Sequence, residues 1–461
     1  RLQLDAVASE SLSGTVFFEI GAQTWGQNST GGALGADNAD VVKLKNAYID
    51  WMVPQTDLKV RMGIQGIALP SMTTGSNVFN DDVAGVVASY QFNENVGLTA
   101  FWARPWNDNF TGWNDTVHGK DYQSNYMDNV DVFALLLPLS FDGVKVTPWG
   151  MYAALGPNAF AAQTYDKDGN ITGRNYFGNV SGTSAKYPTA GMFPAGGAMH
   201  KDGTLVNKRL NSYGNAWWAG LTGEVTMWDP FRIAWDFNYG SAQYDESRLN
   251  RSGWLASLLF EYKMDWGIPG LYGWYASGDD DNPANGSERM PSISVNNNNN
   301  NGFSNFAFNG NPYIAREGIL GYSMAGTWGI GARVKDVSFV EDLKHTLRVN
   351  YIGGTNAPKM AKYLSGNVDR GYPGLGGNIT GPNMQGLGMD PLYMTTEDSA
   401  LEIGLTNEYK MYENFTVMLD AAYLATWIDH SKSTWGRSTM NGKSDQERDP
   451  WNVNLSFVYA F

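Results

Sequence analysis

Apolar and polar positions alternate with a period of two along most of this chain. The run at the end is the clearest: Trp451, Val453, Leu455, Phe457, Tyr459 and Phe461 alternate with Asn452, Asn454, Ser456, Val458 and Ala460, so one face is wholly apolar. Upstream, Leu401, Ile403, Leu405 and Tyr409 alternate with Glu402, Thr406, Glu408 and Lys410. Phe415, Val417, Leu419, Ala421, Tyr423 and Trp427 then alternate with Thr416, Asp420 and Thr426. Only Tyr412-Glu413-Asn414 separates these two runs, which marks a tight hairpin. The same rhythm predicts sixteen strands, near 13–25, 40–53, 58–69, 83–92, 96–106, 129–139, 144–154, 215–227, 231–243, 252–263, 268–277, 322–335, 343–352, 399–411, 415–427 and 450–461. The run at 129–139 is apolar on both faces, and those at 83–92 and 268–277 alternate weakly.

The connections alternate too. Short joints fall at 54–57, 93–95, 140–143, 228–230, 265–267, 336–342 and 412–414. Long, polar connections rich in glycine and asparagine fall between them, at 26–38, 70–82, 107–128, 155–214, 244–251, 278–321, 353–398 and 428–449. A soluble sandwich has no physical reason for such a rhythm. An outer-membrane barrel has one, because its short turns lie on the periplasmic side and its long loops outside. The pattern therefore predicts an all-β fold: a 16-stranded antiparallel transmembrane β-barrel, a single domain over 1–461 with a short N-terminal lead at 1–12. Trp25, Trp51, Trp106, Tyr239, Tyr262, Trp266, Tyr275, Tyr322, Tyr351, Tyr409, Tyr412, Phe415, Trp427 and Trp451 sit near the ends of runs, where a barrel carries two aromatic girdles.

Composition removes several alternatives. There is no cysteine, and no stretch of eighteen apolar residues for a membrane helix. Mean hydropathy of −0.34 does not argue against lipid, because alternating strands keep the average low. The chain opens on Arg1 with no apolar leader before Ser9, so an export signal is expected to have been removed. A net charge of −14 disfavours a nucleic-acid partner. Catalysis finds no constellation: His118, His200, His345 and His430 are far apart, and neither Gly374, Gly376 and Gly377 nor any other glycines complete a nucleotide-binding loop. No enzyme and no cofactor are expected. The oxygens of Asp166-Lys167-Asp168-Gly169-Asn170 and Asp279-Asp280-Asp281 invite a test for structural calcium, but a solvated acidic turn is the reading adopted for both. Asn296 to Asn301 is a low-complexity loop.

The strand rhythm, the loop lengths and the terminal Asn454-Leu455-Ser456-Phe457-Val458-Tyr459-Ala460-Phe461 resemble the trimeric general-diffusion porins of Gram-negative outer membranes, in particular the homotrimeric porins of sulfate-reducing bacteria. The resemblance covers nearly the whole chain as pattern. Its one residue-level motif is the terminal strand, where Leu455, Phe457, Tyr459 and Phe461 match the assembly signal of such barrels. It implies a passive channel for small hydrophilic solutes and ions, a bacterial outer-membrane location with outer-membrane lipid around it, and a homotrimer. The apolar runs at 83–92 and 133–139 are the faces that would pack on a neighbour.

Charges on alternating strands are expected to point into the lumen, since a charge on the lipid face near the midplane costs about 2 to 4 kcal/mol. Lys43, Lys45, Lys59, Arg61, Arg333, Lys335 and Arg348 then form a basic arc. Porins of this kind fold one loop inward at the topological position of 107–128, so Asp108, Asp115, Asp121 and Asp128 are the candidate acidic face opposite that arc. A basic wall would favour small oxyanions. Two alternatives compete with general diffusion. One is a substrate-specific channel using Trp102, Trp106 and Trp113, and the other is a secreted all-β carbohydrate-binding or hydrolytic protein.

Overall fold

The computed structural model describes residues 1–20, 42–107, 114–115, 120–121, 129–157, 159, 162–165, 171–175, 191–195, 197–203, 206, 210, 212–295, 303–304, 306–308, 320, 323–360, 363, 393–429, 431 and 449–461. The wall strands are β1 (Leu2–Ser9), β2 (Leu12–Ile20), β3 (Val42–Met52), β4 (Leu58–Ala68), β5 (Phe79–Gln91), β6 (Gly97–Asn107), β7 (Asn129–Leu136), β8 (Leu139–Phe141) and β9 (Val144–Leu155). They continue as β10 (Gly214–Val225), β11 (Phe231–Gln243), β12 (Arg251–Tyr262), β13 (Ile268–Ala276), β14 (Thr327–Val340), β15 (Leu343–Gly354), β16 (Ser399–Tyr412), β17 (Phe415–Trp427) and β18 (Trp451–Tyr459). Every strand pairs antiparallel with its sequence neighbour, except that β7 and β8 both pair with β9 and share one place in the wall. Pro138 separates these two halves, because it has no N–H to give the ladder.

All sixteen expected strands are present. The residues expected as a lead at 1–12 instead contain β1, which pairs with β2 from Leu2↔Phe18 to Ser9↔Leu12. Its apolar residues Leu2 and Leu4 lie opposite Phe18 and Val16, so it extends the wall with the same facing. The sheet is rolled into a barrel. The segment between β4 and β5 hydrogen-bonds to Asp236 on β11, which lies far around the ladder and therefore faces it across the lumen.

Facing follows the period of two. Outward residues are large, apolar and exposed on strand after strand, among them Phe133, Leu221, Phe237, Leu258, Ile330, Leu347, Ile403, Leu419 and Leu455. Their inward neighbours are buried, and many are polar or charged: Thr222, Asp236, Ser257, Glu261, Arg333, Arg348, Asn350, Glu402 and Asp420. This is a soluble protein's arrangement turned inside out. Toward the long-loop ends, outward Tyr152, Trp217, Tyr239, Trp254, Tyr275, Trp328, Tyr351, Tyr423, Trp427 and Trp451 form a girdle that includes stacked pairs such as Trp254 and Tyr275 at 5.2 Å. The girdle stops at β4 and β5, where Ile64, Gly66, Ala68 and Ala84 stand outward instead.

Leu455 lies at the centre of β18 and is 58% exposed, whereas Asn454 points to the lumen. Leu455→Lys is expected to destabilise the bilayer-inserted protein by about 2 to 4 kcal/mol. Asn454→Lys should cost far less. Denaturant unfolding from vesicles checks both, and equal costs would contradict the facing of β18.

Candidate functional site

Inward charges meet across the wall in a continuous belt. Lys145 on β9 pairs with Glu224 on β10 at 3.0 Å, and Arg232 on β11 joins Glu224 to Glu261 on β12, both at 2.9 Å. Glu261 also takes Arg333 and Lys335 from β14, at 2.8 and 2.9 Å. Those two reach it over Gly270 of β13, where a Cβ would sit 3.1 Å from the Glu261 Cγ. Arg333 lies directly opposite Arg348 of β15. The Arg348 Nη1 donates to Thr406 on β16 at 3.2 Å, and the Thr406 hydroxyl donates in turn to Asp420 on β17. A separate cluster stands on β3 and β4, where Asp50 accepts from the Arg61 Nε and Nη2 at 2.7 Å each, with Lys59 3.4 Å away. The Arg61 guanidinium also lies 4.1 Å from the Tyr48 ring centre.

The expected basic arc is therefore largely paired with acids. Lys59, Arg61, Arg333, Lys335 and Arg348 face inward. Lys43 does so by a route that alternation could not supply, whereas Lys45 reaches Asp82, which lies opposite outward Gly66. Counting back from inward Asp50 by twos would aim both outward. A β-bulge places Phe17 opposite Asn46 and Phe18 opposite Leu44, which makes Lys45 the extra residue and returns Lys43 to the side of Glu19. The Lys45 ammonium meets Asp82 at 3.0 Å and Glu19 at 3.9 Å. Asp108 and Asp128 lie outside the described residues. Asp115 and Asp121 belong to a small hairpin of Asn114–Asp115 with Lys120–Asp121, paired apart from the wall, and their side chains are outside the description. Trp102 faces outward, donating to Asp131 at 2.9 Å, and so does not line the lumen.

A different loop does enter the lumen. Between β4 and β5, the Ser71 hydroxyl and the amides of Met72 and Thr73 donate to the Asp236 carboxylate at 2.6, 2.9 and 3.0 Å. The hydroxyls of Thr73 and Thr222 also donate to it, and Thr73 reaches Ser257 at 2.7 Å. Arg232 secures the same strap by donating to the Met72 carbonyl at 3.1 Å. A carboxylate with this many donors is a strong anchor, because hydrogen bonds to charged groups contribute roughly 1.5 to 3 kcal/mol each. Sequence alternation does place Arg232 and Asp236 inward, opposite Ile233, Trp235 and Phe237. Nothing in the sequence says that 71–73 would meet them.

On the long-loop side of the strap the lumen is filled. Phe303 stacks on Tyr272 at 4.2 Å, and its carbonyl accepts from the Tyr272 hydroxyl and the Asn350 amide at 2.9 and 2.6 Å. The Phe306 amide donates to Glu402 at 3.0 Å. Trp274 packs edge-on to Phe308 and lies against Gly329, where any Cβ would collide with its ring. Buried Arg251 ties separate loops together by donating to the carbonyls of Phe193, Arg289 and Met290 at 3.0, 3.1 and 2.9 Å. The Asp279-Asp280-Asp281 turn spends its oxygens on the protein itself: Asp279 accepts from Ser287, from the Glu288 amide and from Tyr393. Asp281 pairs with Lys359 at 3.3 Å. Asp166 to Asn170 lie outside the described residues.

No protein-family model and no curated protein matches the chain. Among solved structures, the chain is similar to Pseudomonas aeruginosa OpdL, with 10% identity and a TM-score of 0.45 over 99% of this chain and 90% of that one. It is similar to the Pseudomonas aeruginosa outer membrane protein OprD, with 10% identity and a TM-score of 0.43 over 97% and 87%. OmpT, an outer membrane protein of Vibrio cholerae, matches with 9% identity and a TM-score of 0.35 over 99% and 87%. Likenesses this distant carry no inference about cargo or assembly.

Because the chain has no cysteine, Met72→Cys places a unique thiol on the strap. Asp236→Ala in that background is expected to speed its labelling by a hydrophilic thiol reagent at least tenfold, on the order of one lost charged hydrogen bond. An unchanged rate would show that Asp236 does not hold the strap. In the loop cap, burial raises the Glu288 carboxyl above its ordinary value of 4.5, with Asp279 and Asp280 adding to the rise against a hydrogen bond from the Asp280 amide. A raised carboxyl costs stability once ionised, so the cap should weaken as pH rises above 4.5 through the folded value. Glu288→Gln is expected to flatten that profile, as read by proteolysis of the cap against pH.

Proposed function

We propose that this chain is an outer-membrane channel: a narrow, passive path for small hydrophilic solutes and ions. The observation that carries the reading is the reversal of facing, with exposed apolar residues outward on wall strands all round and paired charges inward. Only lipid makes that outer surface favourable. It also disfavours a secreted carbohydrate-binding protein, which would bury one face of each sheet in a dry core. The Asp236-anchored strap and the packed aromatic cap support a narrow, selective route over a wide diffusion pore. Lys145, Arg232, Arg333, Lys335 and Arg348 stand against Glu224, Asp236, Glu261, Glu402 and Asp420, and the second cation of the Lys59, Arg61 and Asp50 cluster leaves a slight positive excess that supports a weak preference for small anions, oxyanions included.

A homotrimer is part of the proposal. The outer girdle lapses over β4 and β5, where small residues stand outward and the Lys45–Asp82 pair spans from β3 to β5. Such a face suits a neighbouring copy better than headgroups and acyl chains, and it includes the run at 83–92.

Purified protein in planar bilayers should give small, stepwise conductance inserted in groups of three, with a reversal potential in a salt gradient near zero and displaced slightly toward anions. Strong cation selectivity would overturn the charge reading. Single, ungrouped steps together with no cross-linked trimer would overturn the assembly. A chain that stays soluble and monomeric without detergent would remove the membrane reading itself.

A further inference from the structure

Below the strap, on the side of the short turns, a cavity of about 340 Å³ opens against β4, β5, β6 and β7. That volume equals on the order of ten water molecules at roughly 30 Å³ each, enough for a solute of several heavy atoms with part of its shell. Its lining divides in two. Toward the short turns it presents Lys59 and Arg61, and toward the strap it presents Ile67, Val87, Phe101 and Leu136. The hydroxyls of Ser89 and Thr99 lie between, 3.0 Å apart.

We propose that this cavity binds small amphipathic carboxylates, with an anionic head at Lys59 and Arg61 and an apolar body of a few carbons along Ile67, Phe101 and Leu136. Among the described residues, Lys59 and Arg61 are the only ionic ones in the lining. Asp50 lies behind Arg61 rather than in the wall, and occupies its Nε and Nη2, so two cations against one carboxylate leave a net positive charge at this end. Bidentate pairing also fixes the guanidinium in place. The Gln65 amide is turned away, donating to the Gly85 carbonyl at 3.1 Å.

The apolar end is equally fixed. Ile67 and Phe101 are almost wholly buried, and Phe101 stacks on Phe79 at 6.3 Å beneath the strap. A purely hydrophilic anion would leave this end wet, and an organic cation would meet only like charge. An anion with a short hydrocarbon body satisfies both ends. The inference rests on the channel reading, since the cavity is part of the lumen.

Calorimetric titration of the full chain in detergent, run beside bilayer currents, tests it with butyrate, acetate and n-butylammonium as probes. Butyrate is expected to bind about tenfold more tightly than acetate, each buried methylene adding roughly three- to fourfold. Butylammonium should not compete. Lys59→Gln should weaken butyrate binding at least fivefold, and Ile67→Asn should erase the advantage of butyrate while leaving acetate unchanged. Leu136→Asn, on a different strand, repeats that test if Ile67→Asn does not fold. Equal affinity for acetate and butyrate, or competition by butylammonium, overturns the site. Conductance without butyrate binding refutes the site and leaves the channel standing. Butyrate binding without any conductance refutes the channel and leaves the site.

Discussion

The constraint on which the rest depends is that a strand crossing lipid must satisfy its backbone sideways while showing hydrocarbon an apolar face. Antiparallel neighbours supply the first condition from β1 to β18. The second gives each strand its alternation, and with it the exposed row that includes Ile330, Leu347, Ile403 and Leu455. Once the outer face is committed to lipid, most charges within the wall are driven to the same interior, while Arg104 and Asp131 pair beside outward Trp102.

Crowding charges together would be costly unless each found a partner, because a buried ion left unpaired costs several kcal/mol. The belt meets that demand by alternating sign from Lys145 through Glu224 and Arg232 to Glu261, Gly270 leaves the room through which Arg333 and Lys335 reach Glu261, and Arg348, opposite Arg333, turns instead to Thr406. Inward aromatics solve a related problem. Trp274 lies flat over Gly329, so a wide ring fits inside a strongly curved wall and can face Phe303 and Phe308 of the cap. The strap, the cap and the belt thereby divide the lumen into a packed upper part and an open lower part.

Strand positions were legible because two-residue alternation is local: β11 and β17 occupy the residues that periodicity assigns them. Local rules fail where one residue is added. At Lys45 a bulge, which no periodic reading reveals, changes the facing of what precedes it. β1 was missed for a different reason. Gln3 and Asp5 alternate with Leu2, Leu4 and Ala6, but the run is short and lacks the aromatics that mark the other strands. The Asp279 turn differs from the solvated acidic turn expected, because Asp279 is buried and its carboxylate accepts from Ser287, the Glu288 amide and Tyr393, partners that only the folded loops bring to it.

By itself, the sequence determined the strands, the rhythm of short turns and long loops, and which residues of each strand share a face. These follow from period, and period is a property of neighbours in the chain. The tertiary structure alone decided which inward groups meet. Asp236 and Ser71 are joined at 2.6 Å across a separation of 165 residues, and Tyr272 and Asn350, in register on either side of Gly331, converge on Phe303 from a distant loop. Facing is inherited from the backbone pleat, whereas contact across a lumen depends on the curvature and register of the whole ladder.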